Sequence, residues 1–271
     1  MAQTGNHKGL QFGIFLAPFH RVGENPTLGM ARDMELIEWI DELGYDEAWI
    51  GEHHSAGWET IASPELFIAA AVERTRYIRL GSGVTSLPYH HPLMVANRFV
   101  QLDHMSRGRT MLGCGPGALP SDAYMMGIEP STQRRRMEES LAAIMQLLKC
   151  EEPVTMKTDW FELKEARLHL APYSYPHFPI ACASTITPSG MIAAGADTRA
   201  MHRTFVSNLK MACDRTAKSG LTLVLEPINH RDIPGYFTNT TDQVKAIIDE
   251  VGAPHLKLQL DLYHMQVTEG D

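Results

Sequence analysis

The chain has 271 residues, with 24 basic and 32 acidic side chains and a formal charge of −8, and it is 44% hydrophobic and 21% charged. That balance is an ordinary globular one, and an acidic chain with no Lys/Arg run beyond Arg134–Arg136 lacks the electrostatic footprint of a nucleic-acid binder. No apolar stretch reaches the roughly 18 residues of a membrane span, and the start MAQTGNHKGLQFGIFLAPF lacks the basic region and long apolar core of a signal peptide. A cytoplasmic, small-molecule-directed protein is expected. Cys114, Cys150, Cys182 and Cys213 form no CxxC and read as reduced, mostly buried thiols.

In chain order, short β-rich runs alternate with amphipathic stretches. Leu10–Phe15 is the first strand, and Leu36, Ile37, Ile40 and Leu43 share one face of a helix that stops at Gly44. Glu47–Gly51 is the second strand, followed by a helix around Pro64–Arg74. Ile78–Leu87 is the third, followed by a helix around Pro92–Met105. Thr110–Cys114 precedes a long helix near Thr132–Lys149, and Pro179–Ala183 precedes a helical stretch from Pro188 to Lys218 with a break at Gly195. Leu221–Leu225 and Leu256–Leu260 are two further strands around a helix near Thr241–Val251. Such alternation predicts an α/β fold, a TIM-barrel-like (β/α) repeat with about seven parallel strands. Seven is one short of closure, so an incompletely closed barrel with an open edge, and with it a homo-oligomer, is expected.

The chemically interesting residues all follow strands: His53 and His54, then Ser86–His91, Gly115–Ser121, Ser184 and Thr185, Glu226–Asn229 and Asp261–His264. Parallel barrels place their active sites at these carboxyl ends. The His90–His91 pair suggests a metal site only weakly, because adjacent strand side chains point to opposite faces. Arg134–Arg136 reads first as a solvated helix face.

Residues 10–195, through LQFGIFLAPF, ELGYDEAWIGEHH, IRLGSGVTSLPYHHP, LDHMSRGRTMLGCGPG and PIACASTITPSG, resemble the luciferase-like flavin monooxygenases, in particular the limonene monooxygenase-like branch. The resemblance implies a monooxygenase using O2 and reduced FMN from a separate flavin reductase on a small organic substrate, and no dinucleotide GxGxxG fingerprint appears. It makes His53 catalytic, with a side chain suited to proton transfer near neutrality. It places Glu52 beside that histidine, a non-prolyl cis peptide between Gly83 and Val84 beneath the flavin ring, and Ser184 and Thr185 near the flavin's polar edge or phosphate. Pro116 stands where luciferase carries a flavin-contacting arginine.

From Ala196 onward the resemblance changes. EPINHRDIPGYF and QLDLYHMQ resemble hydroxypyruvate isomerases, of the xylose-isomerase-like barrels. That implies Mg2+ or Mn2+ on Glu226 and Asp261, Glu226 also acting as acid and base, His264 contacting substrate, and Asn229 and Arg231 orienting Glu226 or binding a carboxylate. The family's remaining ligands, a Gln and a second Glu on later strands, are not in this sequence. The chain therefore reads as a chimera of residues 1–195 and 196–271. The readings that follow are a flavin monooxygenase, a metal-dependent aldose–ketose isomerase, or a chimera with both sites truncated and inactive.

Overall fold

The structure, a computed structural model, describes residues 11–17, 19–55, 57–117, 119–183, 192, 195–218 and 221–270. The chain folds as two compact units, Met1–Ser184 and Thr185–Asp271.

In the first unit, strands β1 (Gly13–Leu16), β2 (Glu47–Ile50), β3 (Arg79–Ser82), β4 (Thr85–Ser86), β5 (Thr110–Gly115) and β8 (Ile180–Cys182) form one parallel sheet. β3 and β4 lie end to end along one edge of β5, interrupted at Gly83–Val84, and β8 lies along the other. The single strand expected at Ile78–Leu87 is thus two, and the Gly83–Val84 peptide between them is cis. Close approach explains the glycines of β5: a Cβ on Gly113 would stand 2.0 Å from the Ser82 carbonyl oxygen.

Helices α1 (Pro26–Glu42), α2 (Pro64–Val72), α3 (Pro92–Ser106), α4 (Pro120–Met125) and α5 (Gln133–Lys149) alternate with these strands. Asn25 caps α1, its side chain accepting the Thr27 N–H at 2.9 Å, and Gly44 at φ +81° carries the chain away beyond the helix end. Ile37, Ile50, Ile68, Leu80, Phe99 and Ile144 are fully enclosed in the core beneath the helices. Asp41 secures the entry to β3, its carboxylate accepting the N–H groups of Arg76, Tyr77 and Ile78 at 2.7–2.8 Å. An antiparallel hairpin, β6 (Val154–Lys157) with β7 (Glu162–Ala166), follows α5 and has no counterpart in the expected pattern.

The second unit pairs β9 (Leu223–Leu225) with β10 (Leu256–Leu258), parallel, with helices α6 (Thr198–Thr216), α7 (Thr241–Val251) and α8 (Leu262–Glu269). Phe205, Leu209, Val244, Ile247 and Leu256 form its core. The helical stretch expected from Pro188 begins, among the described residues, at Thr198, capped by Asp197 onto the Arg199 and Ala200 N–H groups.

All seven expected strand runs overlap strands, the first offset to Gly13–Leu16, and the described strands do not close into a ring. Cys114 and Cys213 are buried while Cys150 and Cys182 are exposed, so half rather than most of the thiols are enclosed. Among the described residues no helix is long and apolar enough to cross a membrane.

Candidate functional site

Past the end of β2 the chain turns through Gly51 and brings Glu52 into the interior, 4% exposed. Its Oε1 accepts hydrogen bonds from two imidazoles, His54 Nε2 at 2.8 Å and His90 Nε2 at 2.9 Å, and its Oε2 accepts the Ser86 N–H at 2.9 Å. Burial pushes the Glu52 carboxyl up, but the hydrogen bonds from His54, His90 and the Ser86 amide outweigh it and hold the group down at about 2. The same bond to Glu52 pushes His54 up against the effect of burial, and the charges of Asp122 and Glu65 add to it.

His53 sits between two other carboxylates. Its Nε2 is 2.7 Å from Glu59 Oε2 and its Nδ1 is 3.5 Å from Asp122 Oδ2. Neither contact has hydrogen-bond geometry: His53 Nδ1, Glu59 Oε2 and Thr60 Oγ1 are buried without a partner. Asp122, on α4 and 2% exposed, ties the loop down by accepting the Ser55 hydroxyl and, at 3.2 Å, the His54 N–H. Tyr89 packs edge-on against His54, ring centroids 5.9 Å apart, and its hydroxyl accepts from Gln133 Nε2 at 2.9 Å. The same Gln133 amide donates to the Pro116 carbonyl, fixing the turn after β5. Gly117 in that turn has φ +83°, and a Cβ there would stand 2.3 Å from the Tyr89 hydroxyl.

Of the residues expected here, Glu52, His53, Gly83 and Val84 all lie at the carboxyl ends of β2 and β3, whereas Ser184 and Thr185 lie outside the described residues. Glu59, His90 and Asp122 belong to the cluster; the sequence had singled out His90 at the end of the third strand run, though as half of a His90–His91 pair, and had missed Glu59 and Asp122. Of those two, Glu59 had a local signal, six residues beyond His53.

In the second unit, ligand atoms of Glu226, Asp261 and His264 lie within 4.8 Å of one another. Burial, and then repulsion by Asp261, pushes Glu226 up to about 7, opposed by a hydrogen bond from the Gln259 side chain. Asp261 also caps α8, its Oδ1 accepting the His264 N–H at 2.9 Å. Asn229, fully buried, serves His264 rather than Glu226. Its Nδ2 donates to His264 Nδ1 at 2.7 Å and to Asp232 at 2.8 Å, and its Oδ1 accepts the Arg231 and Asp232 N–H groups. Arg231 joins this arrangement through its backbone.

Residues 10–211 match the family model of luciferase-like monooxygenases. The chain belongs to that family. Residues 182–271 match a second model, the xylose isomerase-like TIM barrel, so both resemblances read from the sequence are present in one chain. Over 186 residues, 69% of the chain, it is 59% identical to 4-hydroxyprotoasukamycin monooxygenase of Streptomyces nodosus subsp. asukaensis, covering 50% of that protein. It is 52% identical, again over 69% of the chain, to limonene 1,2-monooxygenase of Rhodococcus erythropolis, covering 47% of it. The luciferase-like chain thus spans about half the length of these curated relatives. Another 82 residues, 30% of the chain, are 44% identical to hydroxypyruvate isomerase of Escherichia coli, covering 32% of that enzyme. The fold resembles a crystal structure of a monooxygenase from Streptomyces bottropensis, with a TM-score of 0.70 and 21% identity over 93% of this chain and 92% of that one. It also resembles the oxygenating constituent of 3,6-diketocamphane monooxygenase of Pseudomonas putida in complex with FMN, with a TM-score of 0.66 and 24% identity over 94% of this chain and 65% of that one.

Proposed function

We propose that the chain acts as a flavin-dependent monooxygenase, taking reduced FMN from a separate reductase and using O2 to oxygenate a small organic substrate at the carboxyl ends of β2, β3 and β5. The observation that carries this reading is the convergence there of His53, His54 and His90 with Glu52, Glu59 and Asp122. The residues fit a flavin, because three buried polar atoms, His53 Nδ1, Glu59 Oε2 and Thr60 Oγ1, lack a partner that a polar ring edge would provide. When bound, reduced flavin supplies the electrons that activate O2. The chain's part is positional and protonic. His53 moves a proton between the substrate side and its flanking carboxylates, Glu52 fixes the orientation of His54 and His90, and Gln133 holds Tyr89 as a wall. Tyr89 and the half-exposed Trp58 suit an apolar substrate, in keeping with the limonene named for one relative.

Anaerobic titration with reduced FMN is expected to give a saturable complex. His53→Ala is expected to keep that complex and to slow oxygenation of a monoterpene panel by about 100-fold or more. Full-rate turnover by the variant removes His53 from the mechanism, and no complex in the wild type removes the flavin.

A second reading attaches to the second unit and is favoured by the grouping of Glu226, Asp261 and His264. These three would hold Mg2+ or Mn2+, which polarises a substrate carbonyl when bound. Glu226, near neutrality in its proton affinity, would then move the proton between the two carbons of a hydroxypyruvate-like substrate. Loss of isomerisation in Glu226→Gln tests it. We read the join between the two portions as lying near Gly195, as 1–195 and 196–271; the overlap of the two family matches at 182–211 supports that reading. A cooperative melt that neither reduced FMN nor Mn2+ shifts would favour a folded chain in which both sites are incomplete.

A further inference from the structure

Two of the four cysteines lie far apart in the sequence and side by side in the sheet. The parallel register of β5 and β8 sets Leu112 opposite Ile180, Gly113 opposite Ala181 and Cys114 opposite Cys182. Opposed residues of a parallel pair project from the same face of the sheet, and successive residues alternate between faces. Leu112 and Cys114 belong to the core beneath the helices and Ile180 packs against it, so Cys114 and Cys182 share the helix-facing side. Neighbouring strands run about 4.8 Å apart, within the roughly 4.4–6.8 Å that separates the Cα atoms of a disulfide. Strand β8 is three residues long and, among the described strands, pairs with β5 alone, so it is free to make the small shift that joins two sulfurs.

The two thiols are not equivalent. Cys114 is fully enclosed and Cys182 is exposed. A hydrogen bond from the Cys114 thiol draws the Cys182 thiol down against the effect of burial, and the same bond, together with burial, pushes Cys114 up. The sulfur that solvent reaches is therefore the one that ionises first, and its neighbour keeps its proton. Reactive thiols are exposed and readily ionised, and a second thiol beside one resolves its oxidised form. The other two cysteines are placed differently: Cys150 follows the end of α5, and Cys213 lies in the core of the second unit.

We propose that Cys114 and Cys182 are a peroxide-reactive dithiol, in which Cys182 is oxidised first and Cys114 resolves it to a disulfide that staples β8 to β5. In the first step the Cys182 thiolate attacks one oxygen of hydrogen peroxide. An S–O bond forms, the O–O bond breaks, and the departing hydroxide takes up the proton that Cys182 had released, leaving as water and a sulfenic acid on Cys182. The Cys114 sulfur then attacks the Cys182 sulfur. The S–S bond forms, the S–O bond breaks, and the hydroxyl group leaves as a second water with the Cys114 proton. The thiols together lose two electrons, which reduce the peroxide. The new bond spans the ladder in which the Leu112 N–H donates to the Pro179 carbonyl and the Ala183 N–H to the Cys114 carbonyl, both at 2.9 Å.

The test is oxidation of the full chain, first reduced with dithiothreitol and then freed of it, with Cys150→Ser in the background to silence the other exposed thiol. After hydrogen peroxide, peptide mapping by mass spectrometry should find Cys114 disulfide-bonded to Cys182 within one chain. Cys182→Ser should leave Cys114 a free thiol, and Cys114→Ala should stop at a Cys182 sulfenic acid that dimedone traps. Amide hydrogen exchange at Leu112 and Ala183 should slow by about tenfold or more on oxidation and recover with dithiothreitol. Cys182 carried on to sulfinic acid beside a free Cys114, a disulfide joining Cys182 of two chains, or both thiols still reduced under excess peroxide would each overturn the pair. The map of the Cys150→Ser chain decides among these without either further variant. A Cys114–Cys182 disulfide with unchanged exchange overturns the staple and leaves the reactive pair.

Discussion

Replacing Glu52 by glutamine tests whether this carboxylate organises the first unit. Folding lowers its pKa from 4.5 to about 2, a change of roughly 2.5 units and so about 3 kcal/mol of stability. The raised His54 reports the same bond from the other side, so its effect is not added. Between about pH 2 and 4.5 the unfolded chain binds the proton that the folded chain refuses, so stability rises with pH across that window. The contribution is complete above it and lost as pH falls through about 2. Glutamine can still accept from both imidazoles, but it either turns an amide N–H toward the Ser86 N–H or gives up one of its acceptor positions. The assay is urea unfolding followed by tryptophan fluorescence. Trp39, Trp49, Trp58 and Trp160 all lie in the first unit, so the signal reports that unit alone. At pH 7 the variant should be about 3 kcal/mol less stable than wild type. Wild type should lose about 2 kcal/mol more than the variant on going to about pH 3. A deficit below about 1 kcal/mol at pH 7, or parallel pH profiles, would refute the reasoning.

Other perturbations read other parts of the fold. Asp41→Ala leaves three backbone N–H groups, that of Ile78 buried and those of Arg76 and Tyr77 partly so, without their acceptor and should cost about 2 kcal/mol by the same urea assay; a cost within about 0.5 kcal/mol would mean that water replaces the carboxylate. Gly113→Ala drives a methyl against the Ser82 carbonyl and should cost about 2 kcal/mol or more while disturbing the β3–β5 register, visible as lost amide protection at Leu80, whose N–H donates to the Arg109 carbonyl. In the second unit the sign reverses. Glu226 binds its proton up to about pH 7 when folded but only to about 4.5 when unfolded, so its effect on stability declines as pH rises between those values. Glu226→Gln should accordingly stabilise that unit by as much as about 3 kcal/mol above pH 7 and by little near pH 4, read by circular dichroism; an unchanged profile would place the Glu226 carboxyl in water.

What was legible in the sequence depended on how far apart the cooperating residues lie. Strand runs such as Glu47–Gly51 and Thr110–Cys114 are locally apolar and β-rich, and every one overlaps a strand. The β6–β7 hairpin escaped because Lys157, Glu162, Lys164 and Glu165 dominate its composition, although Val154, Met156 and Leu163 turn inward among exposed neighbours as a half-buried strand pair does. Helix α8 has no buried residue, so no amphipathic stripe announced it. In the first site Glu52, His53 and His54 are contiguous and were found together. Their partners His90 and Asp122 are 38 and 68 residues from Glu52 and His54, and only the folded strand ends bring them close.

Asp261 shows how one residue can satisfy two readings. The resemblance to the isomerases made it a metal ligand, while the backbone makes it the cap that starts α8. These are compatible in a carboxylate, which has two oxygens. The cap uses Oδ1 for the His264 N–H, which leaves Oδ2 outside that bond. The cap therefore fixes the separation of Asp261 and His264 by a single turn of backbone. Asn229 holds the His264 ring from the other side through Nδ1, which leaves Nε2 outside that bond. The elevated proton affinity of Glu226 comes first from its partial burial, and the Asp261 carboxylate that caps α8 adds to it.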